Sequence, residues 1–283
     1  MRTEKEMFDL ILGQAKRDER IRAVYMNGSR TNSNVPKDKY QDYDIVYVVT
    51  ETESFIKDRS WIDELGEILI MQEPDSNDCA WGANMDPSRS YGFLMIFTDG
   101  NRIDLHVEIA DETVFDDKLT IILLDKDGIL PTLPPPTDID YHVKHPTKEQ
   151  FRGQCNEFWW CLNNMAKGIA RDELPYVMHM YGYVRTPLEH MLDWYIGIDT
   201  DFSVSPGKSG KFYKKYLPKD MYDAYLKTYC EANADAIWDS IYTACKLFSD
   251  TARKVADALG FSYVAEEEKG IYEYMRMVRE DLL

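Results

Sequence analysis

Leu130-Pro131-Thr132-Leu133-Pro134-Pro135-Pro136 limits what this chain can fold into more than any other stretch. Successive prolines fix φ and remove backbone donors, so the run continues neither a helix nor a central strand. The chain has 283 residues, enough for two ordinary cores. The proline run is where one would end and the other begin. Before it, short apolar runs alternate with turn residues. After it, apolar residues recur at helical spacing.

Ahead of the prolines, Met7, Phe8, Leu10, Ile11 and Ala15 predict a first helix. Residues 21–26, 43–50, 67–71 and 120–124 read as strands, and 60–66 as a short helix. Asp99-Gly100-Asn101 is a hairpin signal between strands over 91–98 and 102–109. Residues 73–90 read as loop. Beyond the prolines, helices are expected over 147–171, 173–197, 210–217, 219–231, 234–259 and 267–279. Phe158-Trp159-Trp160 and Trp194 would be core aromatics there. The fold class is therefore α+β. Residues 1–135 form a mixed-sheet domain, and residues 136–283 an α-helical bundle domain.

Charge narrows the function. Net charge is −17, which disfavours a nucleic-acid backbone as partner and attracts cations. Residues 1–150 hold 17 basic and 30 acidic residues, so the cation-attracting character belongs mainly to the first domain. The five cysteines include no CxxC pair, which argues against a zinc knuckle or a disulfide framework and fits a reducing cytoplasm. No apolar run approaches the ~20 residues needed to span a bilayer, and the N-terminus lacks a signal-peptide core.

Asp-x-Asp occurs four times, and three of the four fall in turns or linker, where aspartate serves local hydrogen bonding. Asp42-Tyr43-Asp44 alone opens a strongly apolar strand. Side chains at i and i+2 project to one side of a strand, and two such carboxylates repel unless a cation lies between them. A hard divalent ion with oxygen ligands is the natural partner, and Mg2+ leaves room for phosphates. Asp104 alternates with Ile103, Leu105 and Val107, which places it with His106 on the face away from the core. A mid-strand aspartate needs a partner or a wet cleft. Taken alone, Asp104 would pair with Arg102 or a nearby backbone group. Together with Asp42 and Asp44 it reads as a third metal-site acid.

Gly28 ends a strand, and Ser29-Arg30-Thr31 opens a short helix, whose exposed N–H groups favour an anion. Ser29 adds a hydroxyl and Arg30 a planar charged fork. Strand, Gly-Ser turn, Asp-x-Asp strand and a later aspartate together suit a nucleoside triphosphate with Mg2+.

This order resembles the nucleotidyltransferase superfamily with a DNA-polymerase-β-like palm. More closely, the chain resembles the aminoglycoside 6-adenylyltransferases, which adenylylate streptomycin. The resemblance rests on Gly28-Ser29-Arg30-Thr31-Asn32, Asp42-Tyr43-Asp44-Ile45, Leu124-Asp125-Lys126-Asp127, Cys155-Asn156-Glu157-Phe158-Trp159 and Gly207-Lys208. It implies that the first domain is the nucleotidyltransferase palm and the second the aminoglycoside-binding domain. It implies AMP transfer from ATP to an aminoglycoside hydroxyl, with Asp42 and Asp44 as Mg2+ ligands. Asp104 would be general base or a further ligand. Gly28, Ser29 and Arg30 would hold the outer phosphates.

The one dense basic cluster, Lys208 to Lys219, offers Lys208 and Lys211 as further contacts to the triphosphate, against the plainer reading of a solvated helix face. A cationic acceptor needs acids and an aromatic face. Glu157, Trp160, Glu189 and Asp193 are the candidates, with Glu157 beside Trp159 and Trp160 foremost, although a helical salt bridge from Glu189 to Arg185 competes. Other acceptors on the same fold are a lincosamide, another aminoglycoside or a protein hydroxyl. A non-catalytic partner-binding palm is the reading from another class. The chain would work as a monomer or homodimer.

Overall fold

The computed structural model describes residues 1–112 and 115–281. The chain divides into two compact units, Met1–Asp140 and a second from Tyr141 onward.

The first unit is built on a six-stranded sheet among the described residues. Its strands are β1 (Ile21–Asn27), β2 (Tyr43–Val49), β3 (Ile68–Gln72), β4 (Ser90–Phe97), β5 (Arg102–Ile109) and β6 (Ile121–Asp125), in the order β3-β4-β5-β2-β1-β6. β2 and β5 run parallel and the other neighbours antiparallel, so the sheet is mixed as expected. Tyr43, Ile45, Tyr47 and Val49 of β2 and Ile103, Leu105 and Val107 of β5 face one large core. Met7, Ile11 and Ala15 of α1 (Glu4–Arg17) close that core. Tyr47 fixes the helix to the sheet by donating its hydroxyl proton to Ile11 O at 2.8 Å. Burying each such side chain stabilises by about 1.5–3 kcal/mol.

The other sheet face is covered differently. Ala23, Tyr25, Val46 and Val48 form a small second cluster there. Strand alternation sends Asp44 to this face of β2 and Asp104, His106 and Glu108 to the same face of β5. The acids therefore stand where the apolar cover ends.

Two short helices of this unit escape the sequence reading. α2 (Glu53–Lys57) follows β2. α3 (Pro74–Ala80) lies within the stretch read as loop. Proline at its first position suits a helix start. Asp75 is its one buried residue, and its carboxylate accepts from Gly92 N at 2.6 Å. No apolar period announces a helix of that kind.

The second unit is helical. α4 (Lys148–Ala170), α5 (Leu174–Asp199), α8 (Ala234–Leu259) and α9 (Ala265–Arg279) carry most of its core. Thr147 and Gln150 cap α4 reciprocally. Phe158 stacks on Phe248 with centroids 3.8 Å apart. Phe158 and Trp159 are buried, but Trp160 is 67% exposed. Each residue advances a helix face by about 100°, so three consecutive aromatics cannot all point inward. Between α5 and α8 the helices are shorter than expected. α6 covers only Tyr213–Tyr216 after a tight turn at Lys208–Gly210, and α7 (Lys219–Leu226) stops well before residue 231. No helix among the described residues is long and apolar enough to cross a membrane.

Candidate active site

The first unit's site begins at the end of β1. Gly28 has φ 79° and ψ −158°, a conformation essentially restricted to glycine. A Cβ there would lie 2.1 Å from Asp44 Oδ2. Glycine thus serves two needs at once: it turns the chain and leaves room for a carboxylate against the backbone. Ser29 to Thr31 form one 3-10 turn, closed by Thr31 N donating to Gly28 O at 3.1 Å. Among the described residues the Ser29 hydroxyl has no hydrogen-bond partner.

β2 then delivers the acids. Asp44 lies opposite Asn27 of β1 and in register with Asp104 of β5. Among the described residues Asp44 has neither an ion pair nor a hydrogen-bond donor. Burial, then the charges of Asp104 and Asp42, push its carboxyl up to about 6. Burial also raises Asp42, with Asp104 adding to the shift and Arg102 opposing it.

The cation at this cluster is Arg102. Its Nε and Nη2 each donate to one oxygen of Asp104 at 2.7 Å, and Nη1 lies 3.5 Å from Asp42 Oδ2. The pairing of Asp104 with Arg102, weighed from sequence, is present. It includes Asp42 as well, because all three side chains meet on one face. Among the described residues no three His, Cys, Asp or Glu side chains are drawn together as a ready ligand set. The donor chemistry nonetheless suits Mg2+: three carboxylates supply hard oxygen atoms, and one of them, Asp44, is half-buried without an ion pair among the described residues.

Arg30 departs from the expectation of a phosphate grip. Its side chain is only 7% exposed, with the guanidinium 3.7 Å from the Tyr43 ring centroid. It donates to Asp42 O at 3.0 Å and Gln41 O at 2.8 Å. It therefore ties the turn to the backbone that carries Asp42. Gln41, unnoticed in the sequence, does the same from the other side through Nε2 to Ser29 O at 3.3 Å. Its only sequence signal is that it precedes Asp42. Arg30→Lys loses the planar fork and should cost about 2 kcal/mol of stability. A thermal melt checks this. A phosphate contact would instead raise KM for ATP and leave the melt unchanged.

In the second unit, Gly207-Lys208-Ser209-Gly210 is a turn with φ of 75° at Gly207, 55° at Ser209 and 69° at Gly210. Among the described residues neither Lys208 nor Lys211 has a carboxylate partner, so both charges are free to meet an anion.

The four candidates for a cationic acceptor do not gather. Asp193 lines a cavity of about 410 Å3 together with His190, Trp194 and His145. Asp193 accepts from Tyr213 OH at 2.7 Å, and Glu189 accepts from Tyr225 OH at 2.8 Å. The helical salt bridge to Arg185 does not form. Arg185 instead donates to Thr228 O and lies 4.0 Å over the Tyr229 ring. Trp160 lines a separate groove with Asn163 and Tyr274, and Glu157 is exposed on α4, accepting from Cys161 Sγ at 3.2 Å.

Burial pushes the Asp193 carboxyl up to about 6, against the opposing hydrogen bond from Tyr213. The folded state then holds a proton that the unfolded state, near 3.9, has released. Stability therefore falls as pH rises from about 4 to 6, and the full cost is present above that window. Asp193→Asn should raise stability by about 2 kcal/mol at pH 8 and leave it unchanged at pH 4. Denaturant melts at the two pH values test the sign.

A family model described as streptomycin adenylyltransferase matches residues 1–278. An aminoglycoside 6-adenylyltransferase of Campylobacter jejuni is 40% identical, with 95% of this chain and 93% of that protein covered. One from Bacillus subtilis is 36% identical over 97% of each chain. A third, from Staphylococcus aureus, is 33% identical over 98% of each.

Proposed function

The chain belongs to the streptomycin adenylyltransferase family, and from that premise we propose that it transfers AMP from ATP to a hydroxyl of an aminoglycoside. Pyrophosphate leaves, and the antibiotic is inactivated. The 6-position of streptomycin is the proposed target. The observation that carries this reading is Asp44, a half-buried carboxylate unpaired among the described residues, set over Gly28 and in register with Asp104.

The residues divide the work by chemistry. Asp42 and Asp44 would hold Mg2+, with Asp104 as a further ligand or as the base, and the ion would supply neutralisation of the triphosphate charge. Gly28 gives the phosphates close access to backbone N–H groups, and Ser29 offers a hydroxyl without a partner among the described residues. Arg30 keeps the turn and Asp42 in fixed relation. Lys208 and Lys211, without a carboxylate partner among the described residues, would be further contacts to the triphosphate. Asp104 would accept the proton of the attacking hydroxyl as the bond to phosphorus forms. Attack on the α-phosphorus places negative charge on pyrophosphate, so positioning and charge stabilisation supply most of the rate.

The acceptor is cationic, and the best supported acid for it is Asp193, since it lines a cavity beside the Trp194 and His190 rings. Glu189, Glu157 and Trp160 remain secondary candidates.

Product mass identifies the reaction. Incubation with Mg2+–ATP and, separately, streptomycin, other aminoglycosides and lincomycin should give an AMP adduct of streptomycin. An adduct of another acceptor alone would change the substrate and keep the chemistry. With no adduct of any of them, aminoglycoside adenylylation is wrong for this chain.

A further inference from the structure

We propose that Arg102 is a built-in counter-cation of the acid cluster, one that holds Asp42 and Asp104 while no metal is bound and gives way when a divalent cation enters. This rests on the reading of Asp42, Asp44 and Asp104 as the metal-site acids.

The geometry argues for displacement over a permanent pair. Arg102 and Asp104 meet fork to fork, so both Asp104 oxygens are taken by N–H donors. A carboxylate bound in that way is a weaker proton acceptor, and the guanidinium charge competes with a metal ion for it. Asp104 becomes the stronger base and the better ligand once the fork opens. The same guanidinium also reaches Asp42, so one side chain occupies two of the three acids. Asp44, the third, has no hydrogen-bond or ion-pair partner among the described residues. A divalent ion entering at Asp44 would therefore gather Asp42 and Asp104 by taking them from Arg102.

Exposure makes the exchange feasible. The Arg102 side chain is 41% exposed and that of Asp42 36%, so water can solvate both when they part. The Arg102–Asp42 contact is exposed enough to exchange readily, whereas Asp104 is 19% exposed and held by two bonds, so a divalent ion must compete for it. Arg102 stands two residues before Asp104 on the same strand face, so it stays tethered beside the site after release.

The test is Mn2+ binding to the full chain without nucleotide, followed by the loss of the free-ion electron paramagnetic resonance signal. Wild type, Arg102→Gln, Arg102→Lys and Asp44→Asn are compared at pH 7.5. Displacement predicts that both Arg102 variants bind Mn2+ roughly three- to tenfold more tightly than wild type. The lysine variant is decisive because it keeps the charge and loses the two-pronged bond. Tightening in Arg102→Gln alone would show a simple field effect and overturn the proposal. Equal or weaker binding in both, with wild-type binding that Asp44→Asn abolishes, would overturn it and leave the metal reading intact. If wild type and Arg102→Gln both fail to bind Mn2+, the metal reading falls, and this proposal with it.

Discussion

Asp44→Asn should lower streptomycin-dependent pyrophosphate release on the order of a thousandfold and leave the fold intact. The substitution removes one negative charge and keeps the shape, so the contact with Gly28 survives. The loss falls on the charged step alone. The same variant should be more stable than wild type without metal. Folding raises the Asp44 carboxyl to about 6, above its ordinary range, through burial and the neighbouring acids. The folded state binds the extra proton, so the cost is absent below pH 4 and full above about pH 6. Metal-free Asp44→Asn should therefore melt higher than wild type at pH 7.5 and equally at pH 4. An activity loss together with a stability gain is the mark of a carboxylate kept for function at the expense of the fold. A stability loss at pH 7.5 would mean that Asp44 has a structural partner after all.

Gly28→Ala should be nearly as damaging, for a steric reason. The backbone there has φ 79° and ψ −158°, which costs a non-glycine residue about 1–3 kcal/mol. The added Cβ would also fall 2.1 Å from Asp44 Oδ2, far inside van der Waals contact. Either the turn or the carboxylate must move, and both belong to the proposed site. A displacement of an ångström there should cost on the order of a hundredfold in kcat/KM. Gly128→Ala is the control. Its φ is 67°, but nothing lies within 4 Å of the added Cβ. It should cost about 1 kcal/mol of stability and no activity. Equal activity in Gly28→Ala and wild type would remove the turn from the site.

Much of this architecture is legible in the residues themselves. Ile103, Leu105 and Val107 alternate with Asp104, His106 and Glu108, and a two-residue period has only one way to face a core. The Asp99-Gly100-Asn101 turn is equally direct, with Gly100 at φ 84°. What the sequence leaves open depends on tertiary contact. The strand pairing that puts Asp44 beside Asp104 joins residues sixty positions apart. Arg30 and Arg102 carry the same side chain near the same acids. One is buried against Tyr43 and the other bridges two carboxylates, and nothing local distinguishes them. Glu189 and Arg185 have the spacing of a helical ion pair, yet each finds a better partner on a neighbouring element.

Pyrophosphate release from Mg2+–ATP, measured side by side for wild type and Asp44→Asn with and without streptomycin, tests the site most directly. Release that needs both the acceptor and Asp44 is the predicted result. Streptomycin-dependent release that persists undiminished in Asp44→Asn would contradict it, since the chemistry would then lie away from the acids on this sheet.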